Sequence, residues 1–309
     1  MPAIITAAQF QRLMVNDLRE VMEEEEKYGE LQSMIPTFYR TLPSDSAWEE
    51  FFETGSVPDI PASTGKVTYL SVAPGYHTKI EPKEFLGGLQ FQRKFVDDKK
   101  YNVMSEQAGG LMRSAGRVKE KYGARTFQNA FSSAFDFMTS EEGVSLCNSS
   151  HTTKAGVSTA SGFDNSGTSA LSKSAVASTR IAMGQFRSSI GERIDVGNNL
   201  ALVVPDNLAD TAAEIVNTVS GLDTAEGNAN PHYKRYDIIV YPRLDDTDTN
   251  NWFMVDKDLM KQDLLWIDRI MHEKEVMIDY ETKGLKASVY FRIACGFRGW
   301  RWIYGHVVS

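Results

Sequence analysis

Cysteine occurs only twice in the 309 residues, as Cys147 and Cys295. The pair could form one disulfide, but such sparse use fits a reducing compartment better than a disulfide-stapled scaffold. Neither cysteine has a Cys or His partner at zinc spacing. His151 follows Cys147 by four residues, but no second pair comes after it, so structural zinc is not expected. The five histidines are scattered and read as surface or turn residues. Long apolar runs are also missing. Stretches such as Leu200–Val204 fall far short of the roughly 20 residues that span a bilayer. The N-terminus lacks a basic residue ahead of its apolar stretch, and Gln9, Gln11 and Arg12 interrupt it. This argues against a secretory signal.

Catalytic signatures are equally scarce. Gly65-Lys66 resembles the end of a phosphate-binding loop. Yet Ile60 stands where the first glycine belongs, and Val67 where Ser or Thr would bind magnesium. Asp246-Thr-Asp248-Thr-Asn250 resembles the start of a calcium loop. It has Asn251 in place of the turn glycine and Lys257 in place of the bidentate Glu, so a polar turn between strands is the better reading. No Gly-x-Ser-x-Gly elbow organises a triad. No catalytic residue, metal or cofactor is expected.

What is present is an ordinary folded composition. Hydrophobic residues at 42% and aromatic residues at 11% exclude a disordered chain. The length suggests about two domains. The net charge of −8 is unevenly placed. Residues 1–60 carry four basic and twelve acidic side chains, whereas the other 249 residues balance 29 against 29. The chain reads as a neutral body with an acidic N-terminal arm, which excludes a globally basic nucleic-acid binder.

The spacing of Phe10, Leu13, Met14, Leu18, Val21 and Met22 predicts a helix over 5–31, with Glu23, Glu24, Glu25 and Glu26 as a charged face. Ala47–Phe52, 66–72 and 76–80 read as strands flanking Gly/Pro/Ser-rich turns, followed by a strand over Leu89–Val96. Such a hairpin is marginal by itself and needs a surface to lie on. A long helix is predicted over 103–138, with a kink or break at Gly123. Its glycines, including Gly109 and Gly110, imply another backbone close by or a bend. Residues 139–170 read as an exposed polar loop, and 171–187 as a helix. An α/β pattern follows. Strands at Ala201–Val204, Asp237–Tyr241 and Trp252–Val255 accompany a helix bearing Leu208, Ala212, Ile215, Val216 and Val219. Leu285–Ala294 and Trp300–Val308 are the last strands.

This order of elements resembles the major capsid protein of tailed phages, with its α+β Hong Kong 97-type fold, and is most similar to the branch typified by the phage Mu major head subunit. The resemblance rests on an ordered set of features. These are the arm opening with Ile5-Thr6-Ala7-Ala8, the hairpin returning through Ile80-Glu81-Pro82 to Arg93-Lys94, and Asp97-Asp98 and Tyr101 before the long helix. Glu142–Leu146 leading to Ser150-His151, Leu200–Pro205, Pro242-Arg243-Leu244 with Trp252-Phe253, and Gly296 with Trp300 complete it. It implies an N-arm over 1–45 and an extended loop over 46–95. It implies a peripheral domain over 96–180 and 273–296, and an axial domain over 181–272 and 297–309. It further implies self-assembly into hexamers and pentamers of an icosahedral virion shell around double-stranded DNA, formed in the host cytoplasm without a membrane. Portal, scaffolding and decoration proteins are the implied further partners. Because the arm begins within a few residues of Met1, the expected scaffold is a separate protein or none.

Several residues are candidates for contact. Glu23 to Glu26 should meet basic residues of another subunit, the long helix among them. Trp48, Phe51, Phe52, Arg93 and Lys94 belong to the loop that lies across a neighbour. Residues 82–125 hold ten basic and five acidic side chains. Arg113, Arg117, Lys119, Lys121 and Arg125 could therefore face DNA phosphates, or pair with acidic arms of neighbours. Two other functions stay open: an encapsulin-like compartment with the same fold, and, with weaker support, an α/β enzyme using carboxylates.

Overall fold

The computed structural model describes residues 7–63, 65–72, 74–219 and 229–308. The chain runs through α1 (Ala7–Leu31), the short helix α2 (Ile35–Phe38), β1 (Arg40–Pro43), β2 (Glu49–Thr54), β3 (Pro74–Ile80) and β4 (Lys83–Phe91). It continues through α3 (Arg93–Asp97), α4 (Tyr101–Gln128), β5 (Met138–Ser140), β6 (Ser166–Gly167), α5 (Lys173–Met183) and β7 (Leu200–Val204). It ends with α6 (Ala209–Asn217), β8 (Asp237–Val240), β9 (Trp252–Asp256), α7 (Lys257–Asp263), β10 (Leu264–Ile278), β11 (Leu285–Phe297) and β12 (Ile303–His306). These strands form three sheets, ordered β1-β10-β11-β4, β2-β3-β5 and β6-β12-β9-β7-β8.

The four-stranded sheet is built on the β10–β11 hairpin, paired from Ile278↔Leu285 to Leu264↔Phe297. On β11 every second residue from Leu285 to Ile293 is buried, the period-two pattern of a strand with one face covered. That face meets α4, where Phe85 lies 5.2 Å from Phe291 and 5.3 Å from Tyr122 between ring centroids. Helix α1 packs on α4 and β10, burying Met14, Leu18 and Met22. Each such side chain contributes about 1.5–3 kcal/mol, so the arm helix is part of the core.

The five-stranded sheet centres on β7, all five residues of which are buried. Helix α5 packs on β9 and β12, and α6 on β7 and β8. Ser172 caps α5 by accepting a hydrogen bond from the Ala175 amide at 3.2 Å. The C-terminal end of α4 reaches this sheet through Phe127, which is 1% exposed.

Several expectations are corrected. Residues 66–72 form no strand. The strand placed at Leu89–Val96 begins at Lys83 and stops at Phe91, and α3 follows. The long helix passes through Gly123 unbroken and ends at Gln128. At Gly123 a Cβ would meet Ile35 at an ordinary contact distance of 3.4 Å, and the Gly123 carbonyl accepts from the Tyr39 hydroxyl at 2.7 Å. The sequence pattern does not predict strand β10, because its charged His272–Glu275 run and its register shifts near Ile270 hide the alternation. Cys147 and Cys295 are both buried and unpaired.

The 139–170 stretch and the histidines differ most from the reading. Asn165, fully buried, pins the loop. Its side-chain amide donates to the carbonyls of Leu146 at 2.9 Å and Ile303 at 3.1 Å. Its oxygen accepts from the Asn148 amide at 2.8 Å and lies 3.1 Å from His151 Nε2. His151 is 1% exposed and stacks on Trp300 with centroids 4.2 Å apart. His306 is also buried. It stacks on Trp252 at 4.2 Å, accepts from the Ser169 amide at Nδ1 and contacts Thr179 through Nε2. Burial pushes its pKa down to about 4, so it packs as a neutral ring. Replacing Asn165 with Ala strands several buried donors and acceptors and should cost about 2–4 kcal/mol. Chemical denaturation measures this; a loss below the experimental error would contradict it.

Candidate assembly surfaces

The acidic run divides by helix geometry. Glu23 and Glu24 are exposed, whereas Glu25 and Glu26 turn towards the body. Glu25 receives Arg113 Nη1 of α4 at 2.5 Å. Gly109 makes room for this, because a Cβ there would lie 3.1 Å from the Glu25 side chain. Glu26 accepts from His272 Nδ1 at 2.7 Å and pairs with Lys274, both on β10. Burial works against the charge of Glu26, but hydrogen bonds from Lys274 and His272 outweigh it and leave its pKa below the ordinary carboxylate value. Burial, with the nearby Lys119 charge, holds His272 below its ordinary value despite Glu26. The basic helix and the acidic arm thus meet within one chain.

The other α4 cations are placed unevenly. Lys119 pairs with Asp268 at 3.2 Å. Arg125 pairs with Asp136 at 2.8 Å and lies over the Tyr122 ring. Arg117 and Lys121, one turn apart and exposed, form no ion pair among the described residues. Arg117 lines a groove of about 900 Å³ between α1, α4 and β10.

The hairpin is the second surface. Its base is fixed by Glu53 to Arg301 at 2.8 Å and by the Ser56 amide to Ser189 Oγ at 2.9 Å. Beyond that base most of the described side chains are exposed. Val57, Ile60, Val67 and Tyr69 are 62%, 87%, 77% and 92% exposed, and Phe52 is exposed near His77. Phe51 is half-buried, and Trp48 carries Lys79 over its ring at 4.4 Å. Arg93 pairs with Asp97 one turn on in α3, and Lys94 lies over Phe95. The hairpin closes at Ile80, because β4 pairs with β11 in another sheet. Sequence reasoning missed Ile60, Val67 and Tyr69. Their signal was apolar side chains in a Gly/Pro-rich stretch with no strand partner. An apolar group of this kind marks an interaction site.

Comparison with known proteins gives these surfaces a setting. The family model described as phage capsid protein matches residues 78–305. The chain belongs to the phage capsid protein family, whose members are structural subunits of a virion shell. Its fold is similar to the bacteriophage PhiM1 mature capsid, with TM-score 0.59 and 11% identity over 90% of this chain and 87% of that one. It is also similar to a structure of Mycobacterium phage Patience, with TM-score 0.56 and 10% identity over 99% and 90%. A virus-like particle from Pyrococcus furiosus gives 0.50 and 10% over 95% and 99%. The fold is the α+β, Hong Kong 97-type fold of tailed-phage capsids. A search of curated proteins finds no match.

The arm contact carries a pH dependence with a defined sign. Glu26 is held below 4.5 and His272 below 6.5. Both favour the deprotonated form in the folded chain, so both stabilise at neutral pH and lose that contribution on acidification. Hydrogen exchange should show residues 14–31 losing protection as the pH falls below about 6.5, where the unfolded His272 begins to take a proton, and further below about 4.5, where Glu26 does, with His272→Gln removing the upper part of the change. Glu26→Gln should cost about 1–2 kcal/mol. An unaltered pH dependence in the His272 variant would contradict this assignment.

Proposed function

We propose that this chain is the major head subunit of a tailed phage in the Mu-like branch. It builds an icosahedral shell of hexamers and pentamers around double-stranded DNA, assembled in the host cytoplasm. The family match across most of the chain carries this reading. The exposed apolar hairpin supports it. Ile60 and Tyr69 stand exposed on an arm whose base is held by the Glu53–Arg301 pair, and another copy of the chain would cover them. A contact between two different patches of the same chain is heterologous, and such contacts close into rings when the rotation allows. The charged groups on α1 and α4 would leave Glu23, Glu24, Arg117 and Lys121 for other subunits or for DNA, bound without sequence reading.

The sheets suggest where the domains divide. A peripheral domain would comprise α1, β1, β4, α3, α4, β10 and β11. An axial domain would hold the five-stranded sheet with α5 and α6, and the extended loop would be the β2–β3 hairpin. On this division β10, which runs through residue 272, belongs wholly to the peripheral part. Portal, scaffolding and decoration proteins would complete the particle. No described helix is long and apolar enough to cross a membrane. The second reading, an encapsulin-like compartment, draws on the likeness to the Pyrococcus virus-like particle; the family match favours the phage shell.

Negative-stain microscopy of the purified protein should show closed shells. The Ile60→Asp/Tyr69→Asp variant should give folded, unassembled subunits with an unchanged melting temperature. Shells of normal yield from that variant would overturn the hairpin's role. Arg117→Glu/Lys121→Glu should leave shells intact and reduce retained DNA. Failure to assemble would instead assign these two cations to subunit contacts.

A further inference from the structure

Residues 229–236, which lead into β8, and the adjacent face of α5 gather an electropositive cluster that has no acidic counterpart among the described residues. His232 and Tyr236 are 6% and 5% exposed, with ring centroids 5.8 Å apart. The Arg235 guanidinium lies 6.0 Å from the Tyr236 ring. Arg180, from the last turn of α5, sits beside both rings, and Lys173, at its start, beside His232. Among the described residues none of Lys173, Arg180 and Arg235 forms an ion pair. Asp237, the nearest acid in sequence, is taken by Lys257.

Among the described residues, three buried polar atoms in this cluster, Arg180 Nε, His232 Nδ1 and the Tyr236 hydroxyl, make no hydrogen bond of good geometry, although the Arg180 side chain lies close enough to the Tyr236 hydroxyl to interact with it. Buried polar groups are otherwise almost always satisfied, and each exception asks for an explanation. Clustered cations in a partly desolvated site also repel one another more than they would in water. Burial, and then the charges of Arg235, Arg180 and Lys173, hold the His232 imidazole below its ordinary value, as expected where a counter-ion is missing. One ligand would relieve both deficits. It must bring hydrogen-bond acceptors to Arg180 Nε and Tyr236, and enough negative charge for three cations. A single carboxylate supplies one charge, whereas a phosphate group supplies up to two charges and several acceptor oxygens.

We propose that Lys173, Arg180, His232, Arg235 and Tyr236 form a phosphate-binding site. The inference stands apart from the shell reading, because it rests on this cluster alone. The phosphate could be free inorganic phosphate or one group of a nucleic-acid backbone. Thermal unfolding of the full chain in sodium phosphate, against sodium chloride at equal ionic strength, tests the site. Phosphate should raise the melting temperature by a few degrees in a saturable way, and Arg180→Gln/Arg235→Gln should abolish that rise. A rise retained in full by the double variant would be a general salt effect and would overturn the site, as would no rise in the unaltered protein. If the double variant does not fold, Arg235→Gln alone, at an exposed position, should shift the phosphate midpoint several-fold; an unmoved midpoint would overturn the proposal. A single-stranded oligothymidylate distinguishes the sources. Stabilisation by the strand at lower phosphate concentration identifies a backbone phosphate, and stabilisation by inorganic phosphate only identifies the free ion.

Discussion

The packing of Phe127 at the end of α4 is the contact on which the rest of the architecture depends. Its ring meets those of Phe38 at 4.9 Å, Phe253 at 5.7 Å, Trp302 at 6.0 Å and Tyr241 at 6.3 Å. These partners come from α2, the five-stranded sheet and the turns flanking it. Aromatic groups of this size dominate core energetics. One side chain therefore joins the helix that carries the arm and the four-stranded sheet to the second sheet. The angle between the two halves is set by close packing, which resists small displacements.

A rigid body of this kind can present a weakly supported element in a fixed direction. The hairpin uses that property. Its base is tied down by Glu53 and Ser56, and its tip leaves Val57, Ile60, Val67 and Tyr69 exposed. In a monomer the exposed Ile60 and Tyr69 would be a liability. In a repeating assembly they would form half of an interface. The acidic arm takes the opposite course. Glu25 and Glu26 are neutralised within the chain, and α1 buries Leu18 and Met22 completely. The charge asymmetry of the sequence is thus partly spent on holding the subunit together.

Local pattern made much of the fold legible. β7 reads as a buried strand because all of Leu200–Val204 is apolar, and α1 reads as a helix because its apolar residues recur every three or four positions. Features that depend on distant partners did not read out. β10 alternates only after its bulges are known. His151 and His306 are buried because Trp300 and Trp252 offer flat faces to stack on, which no local spacing reveals. Arg113 and Arg125 were legible as cations but not as paired ones, since their partners lie 88 and 11 residues away. The apolar residues of the hairpin tip suggested strand 66–72, yet strand formation needs a partner that this chain does not supply.

The central claim is that the hairpin tip is completed by another copy of the same chain. Hydrogen–deuterium exchange of residues 57–72, compared between assembled particles and dissociated subunits, tests it most directly. The account predicts strong protection of this segment in the particle and rapid exchange in the free subunit. Equal, rapid exchange in both states would contradict it.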